Sequence, residues 1–258
     1  MKRPFGGRIL LIRRKYVAAV LLIAAVIGIF TVINHPAVVG RPAAERILPI
    51  YSVRREDSAI SLTFNAADAD DSHTTQVMQI LNALGVRATF FVTGDWVRQN
   101  ETLARRLTDS GHELMNLSDD HNLLRELDSA EIRDRLEGCN LAIENATGIR
   151  PNIFRVPHGG YDDKLITLAA GLGLHTVQWS VDSGDWRGGT AEEITRQVQS
   201  RAFPGGIVLL HSNLEQTVQA LPEIIRNLWN EEYVFLPVSE LVIGSEFTVS
   251  ITGRQIPV

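Results

Sequence analysis

From Ala59 onward, short apolar, β-rich runs alternate with stretches whose apolar residues recur at helical spacing, and this alternation restricts the fold most. The run "AISLTF" leads into Val77, Ile80, Leu81 and Leu84 on one helical face, and Gly85 stops that helix. "RATFFVTG", "ELMNL", "NIFRVP", "LHTVQWSVD", "GIVLLHS" and "YVFLPVS" read as further strands with helical patterns between them. Asp128 stands three residues before Glu131 at the start of the longest helical pattern, a capping-box spacing. Strand–helix units in series imply an α/β fold on a parallel sheet, a deformed (β/α)7-type barrel closed or nearly closed on itself. An open doubly wound sheet is the competing architecture, but no glycine-rich phosphate turn follows the first strand.

The start of the chain has a different character. Lys2, Arg3, Arg8, Arg13, Arg14 and Lys15 precede an uncharged apolar run, Tyr16 to Ile33. That run matches the roughly 17–25 residues a helix needs to cross a bilayer, and it lacks the polar stripe of a surface helix. The basic flank predicts a cytoplasmic N-terminus and an extracytoplasmic remainder, with a cleaved signal peptide as the competing reading. The expected organisation is a basic segment at 1–15, a transmembrane anchor at 16–33, a linker at 34–50, one large domain at 51–245 and a tail at 246–258. The expected location is the cell membrane, single-pass.

A net charge of −5 argues against a nucleic-acid binder, which would show a basic face. Cys139 is the lone cysteine, so no intrachain disulfide forms, and it falls in step with Ile132, Leu136 and Ile143 as core filler.

In parallel α/β barrels chemistry gathers at the C-terminal ends of strands. The polar residues there are Asn65, Ser118 with Asp119 to His121, Arg155 with His158, Asp182 with Asp185 and Trp186, and His211. Five strands contribute to one rim, a concentration that points to a functional site.

Five segments in order, "LTFNAA", "GHELMNLSDDH", "FRVPHGGYDD", "WSVDSGDW" and "IVLLHSN", resemble the polysaccharide deacetylases, the NodB homology domain of carbohydrate esterase family four. "GVRATFFVTGDW" and "ALPEIIRNL" are similar to the sporulation-type branch. The resemblance implies metal-assisted hydrolysis of an N-acetyl group on an amino sugar of cell-wall glycan, peptidoglycan or chitin-like. In that chemistry an Asp and two His hold a divalent ion, usually zinc, a carboxylate acts as base, and an Asp-tuned His protonates the leaving amine.

Carried onto this chain, the resemblance splits. His211 falls at the general acid, Asp182 at its orienting carboxylate and Arg155 where the family steadies the base; Trp186, His158 and Asp185 fall along the sugar groove, His158 in place of a tyrosine. Asn65 occupies the base position, and an amide accepts no proton at neutral pH. Ala66 and Leu117 stand at two metal-ligand positions, leaving His121 as the ligand that survives. The implied enzyme has an impaired base and metal site, with weak hydrolysis or glycan binding without turnover as the two outcomes.

Asp68, Asp70, Asp71 and His73, with Asp119 and Asp120, offer a rival ligand set on the same rim, Asp68 and Asp71 being the candidates to replace the lost groups. The alternative is that these acids merely solvate exposed loops.

Overall fold

The computed structural model describes residue 19 and residues 46–67, 72–244 and 246–258. The segments read as basic segment and transmembrane anchor lie outside these residues except for Ala19, as do most of the linker and Asp68, Asp70 and Asp71. Among the described residues no helix is long and apolar enough to cross a membrane. The chain divides into two units, Met1–Arg46 and Ile47–Val258, and the second carries the fold described below.

The centre of the second unit is β2 (Ala59–Ala66), in which every residue is buried. Burial on both faces is the mark of a strand inside a parallel sheet covered on two sides, which explains its near-continuous apolar run. β2 pairs in parallel with β3 (Thr89–Val92) on one side and β8 (Ile207–His211) on the other. The hydrogen-bonded order runs from β6 (His175–Thr176) through β5 (Ile153–Phe154), β4 (Glu113–Asn116), β3, β2 and β8 to β7 (Val181–Asp182). β9 (Val234–Phe235) adds to the lower end of β2.

This order forces curvature. Six steps of about 4.8 Å would set the edges of a flat sheet about 29 Å apart. Yet the edge strands β6 and β7 are consecutive in the chain, and the reach from Thr176 to Val181 is about 17 Å at most. The sheet therefore curls into a partial barrel. The expected closure is not completed by a β6–β7 ladder; instead residue 50 lies along β6, with Ile50 bridged in parallel to Val177.

Helices α1 (Ser72–Leu84), α2 (Gly94–Gln99), α3 (Glu101–Asp109), α4 (Ser129–Thr147), α5 (Asp163–Gly171), α6 (Ala191–Arg201) and α7 (Glu215–Asn230) connect the strands, and a short α8 (Val238–Leu241) follows β9. The capping box at α4 forms as its spacing predicts: Asp128 accepts from the backbone of Ala130 and Glu131, and Glu131 accepts from Asp128. Gly148 ends that helix in the left-handed conformation. Cys139 is fully buried, and burial pushes its thiol up to about 12, which leaves it inert core filler.

Residues 246–258, read from sequence as a tail, form β10 (Phe247–Val249) and β11 (Arg254–Pro257), and β11 pairs with β1 (Ser52–Val53) in a small separate sheet. These strands are short and mixed in polarity, so they carry no clear period for a sequence reading to find.

One core contact has a pH signature. His112 is 4% exposed; its Nδ1 accepts from Ala88 N–H at 3.3 Å and its Nε2–H donates to Asn82 Oδ1 at 3.0 Å. Burial lowers its pKa from 6.5 to about 4, so the folded protein holds this ring neutral where the unfolded chain protonates it. Stability therefore falls as pH drops from about 6.5 to about 4, by on the order of 3 kcal/mol, with no further loss from this group below that range. Urea unfolding at several pH values checks this: His112→Gln should flatten the slope in that window, and an unchanged slope would refute the assignment.

Candidate functional site

Parallel pairing of β2 with β8 sets Asn65 directly beside His211 at the C-terminal rim. Both line a cavity of about 280 Å³ together with His121, His158, Trp179, Asp182, Trp186 and Leu209. A second cavity of about 180 Å³ adjoins it, sharing Asn65, His121, Trp186 and His211 and adding Ala67, Asn213 and Leu214. Trp179 and Leu209 were missed as site residues. Trp179 opens the "WSVDSGDW" segment and was legible there; Leu209 lies within a strand and gave no signal.

The acid side is a built constellation, but its carboxylate is not the one expected. His211 Nδ1 donates to Asp185 Oδ1 at 2.8 Å, and Asp185 Oδ2 accepts from the His211 backbone N–H at 2.7 Å and from Thr217 Oγ1 at 2.8 Å. Asp185 is wholly buried. Burial pushes its pKa up, yet the hydrogen bond and charge of His211, with Thr217, hold it below the usual carboxylate value. The contact with His211 expected of Asp182 is thus made by Asp185, which was read as a groove residue. Gly184, in the left-handed region at φ 72°, turns the chain after β7, and the 3-10 turn Asp185–Arg187 brings the second acid back to β8. Asp182 instead accepts from Gly184 N–H at 2.9 Å and Trp186 Nε1 at 3.3 Å, so it aims the exposed indole. With Nδ1 committed to Asp185, Nε2 of His211 is the nitrogen left for the groove.

The base side holds no acid. Arg155 Nη1 donates to Asn65 Oδ1 at 3.1 Å, and Nη2 to the Gln178 carbonyl at 3.2 Å. This contact fixes the amide: Oδ1 accepts the guanidinium N–H, which leaves Nδ2, a donor, as the other face of Asn65. A donor stands where the resemblance implies a proton acceptor. Arg155 itself is fully buried and makes no ion pair among the described residues; burial lowers its pKa to about 9. It is still a cation at neutral pH, stacked 3.9 Å over the Phe91 ring with Trp179 at 5.7 Å.

The metal positions are equally altered. Ala66 points away from Asn65 by strand alternation and packs in the helix-side core with Trp96 and Val97. Leu117 is fully buried in the inner cluster with Phe91, Met115 and Val177. His121 lies 4.3 Å, ring to ring, from His158, whose Nε2–H donates to the His121 carbonyl at 2.9 Å. Asp119 and Asp120, weighed above as replacement ligands, are bound to Arg98 and Arg135. Asp119 also fills the space beside Gly94 and Gly138, where an added Cβ would meet it at 2.1 and 3.0 Å. Among the described residues no three His, Cys, Asp or Glu side chains converge as ligands. Two hydrocarbons and one imidazole do not fit the zinc that the resemblance implies.

A curled parallel α/β sheet thus carries a buried Asp–His pair at its carboxyl rim. Residues 52–177 match the family model for polysaccharide deacetylase. The Bacillus subtilis protein YlxY is 30% identical over 194 residues, covering 75% of this chain and 60% of the relative. The peptidoglycan-N-acetylglucosamine deacetylase PgdA of Listeria monocytogenes is 32% identical over 214 residues, covering 81% and 45%. The crystal structure of BA3943 from Bacillus anthracis, described as a family-four carbohydrate esterase pseudoenzyme, matches with a TM-score of 0.72 at 30% identity, covering 81% of this chain and 72% of that one. A mutant of BA3943 described as having restored enzymatic activity matches with the same TM-score at 32% identity. The chain belongs to the polysaccharide deacetylase family. It spans 60% of the length of YlxY and 45% of that of PgdA.

Proposed function

We propose that this chain is a membrane-anchored, extracytoplasmic member of the family that binds N-acetylated cell-wall glycan in its groove without the family's ordinary hydrolysis. The observation that carries this reading is the Asn65–Arg155 contact, which leaves an amide N–H, not a proton acceptor, at the base position. Loss of one member of a cooperating catalytic set commonly costs about 10⁴-fold in rate. Here the hydrocarbons at 66 and 117 compound that loss. The exposed Trp186, aimed by Asp182, supplies an apolar face for a sugar ring. The pseudoenzyme description of BA3943 supports the same reading, and the apolar segment 16–33 supports anchoring.

The intact Asp185–His211 pair favours a second reading, weak hydrolysis through a rearranged base and metal site. One experiment separates the two. The full chain is incubated with chitin oligomers or peptidoglycan and zinc, cobalt or manganese, beside His211→Ala. Acetate release no higher than that of the variant is expected, while both proteins retain glycan in a pull-down that Trp186→Ala weakens. Brisk release that depends on His211 would overturn the proposal.

A further inference from the structure

Beyond the groove, the turn after β7 walls off a second concavity. It measures about 480 Å³ and is lined by Arg187, Arg196 and Arg201, together with Gly188 and Gly189 and with Glu193 as its one carboxylate. Three cations against one acid leave a net charge of +2 in a chain whose total is −5.

Two of the three arginines are not used up by the fold. Among the described residues neither Arg196 nor Arg201 makes an ion pair; Glu192 feels the charge of Arg196 but does not bond it. Arg187 stands 3.7 Å from Asp182 and stacks 4.7 Å over Trp186. Glu193 is committed to the helix start, where it accepts from Thr190 N–H at 3.0 Å. The planar forks of guanidinium groups match carboxylate and phosphate oxygens.

We propose that this cavity is a subsite for the carboxylate or phosphate substituents of an acidic cell-wall glycan whose sugar ring rests on Trp186. The inference builds on the glycan-binding reading above and specifies its ligand. Arg187 joins the two places, since it stacks on the indole that faces the groove and lines the cavity behind it. An anionic lipid surface is the less suitable source of the same chemistry, because the arginines line a hollow rather than a flat face.

The test compares binding of the full chain to a neutral chitin oligomer and to a muramic-acid-containing peptidoglycan fragment. Arg196→Gln with Arg201→Gln should weaken the acidic ligand about tenfold and reduce its salt dependence, leaving the neutral oligomer unchanged. Arg226→Gln, an exposed change on α7, is the control. Competition by inorganic phosphate but not acetate assigns the subsite to phosphate, the reverse assigns it to carboxylate, and competition by neither overturns it. Equal affinity for neutral and acidic ligands, or retention by anionic phosphatidylglycerol vesicles that the double variant abolishes, also overturns it while sparing the glycan reading. Failure to bind either glycan defeats both.

Discussion

Asn65→Asp should make this protein more stable, raising its melting temperature by about 5–10 °C at neutral pH. The reason is the buried Arg155, which is wholly enclosed yet among the described residues has only an amide oxygen, a carbonyl and two aromatic faces for company. Removing one partner of a buried ion pair costs about 3–5 kcal/mol, because the remaining charge is left uncompensated. This chain already sits in that state. A carboxylate at 65 would meet Nη1 at the 3.1 Å now spanned by the amide oxygen. After its own desolvation, a gain of about 2–3 kcal/mol is expected, and each kcal/mol moves the midpoint by about 2–4 °C in a domain of this size. The guanidinium would hold the new acid below its usual pKa, so the gain is full above about pH 4–5 and fades as the folded-state carboxylate protonates. Thermal unfolding at pH 7 and pH 3 reads both parts. A lower midpoint at pH 7 would mean that aromatic stacking already compensates the cation and that Asn65 is not a lesion in the fold.

Much of this arrangement was visible in the one-dimensional pattern. The alternation from Ala59 onward carries the parallel sheet, and the rim positions of Asn65, Arg155 and His211 followed from strand ends alone. That Arg155 touches the residue at 65 was implied by resemblance and is present as a hydrogen bond. What stayed hidden depends on turns and on partners distant in sequence. The resemblance places Asp182, at the end of β7, as the partner of His211. The left-handed Gly184 and the following 3-10 turn hand that contact to Asp185 instead. The acids at 119 and 120 look free in sequence because Arg98 and Arg135, which bind them, come from α2 and α4. The basic cavity was equally illegible, since Arg187 and the α6 arginines converge only once the turn packs against that helix.

The second large effect concerns metal. Asn65→Asp combined with Leu117→His should convert the parent into a protein whose stability depends on zinc. Without metal the double variant is expected to give back the gain from position 65. Leu117 is fully buried among Phe91, Met115 and Val177, and exchanging it for imidazole forfeits packing and buries a polar ring at a cost of about 2–4 kcal/mol. With metal the balance changes, because residue 117 and His121 then provide two imidazoles flanking the turn at Ser118, whose φ of 76° fixes that turn in the left-handed region. Zinc at a hundredfold excess over its dissociation constant would add about 2.7 kcal/mol, again about 5–10 °C. Protons compete with zinc for these ligands, so the zinc effect should be larger at pH 7–8 than in acid. Metal content after gel filtration and the zinc-dependent shift in melting temperature measure this without reference to turnover. The parent should show neither, since Ala66 and Leu117 offer no lone pair. Stoichiometric zinc in the unaltered chain, with a comparable thermal shift, would place the donors elsewhere on the rim and return the Asp68–Asp71 stretch to consideration as the rebuilt half of the site.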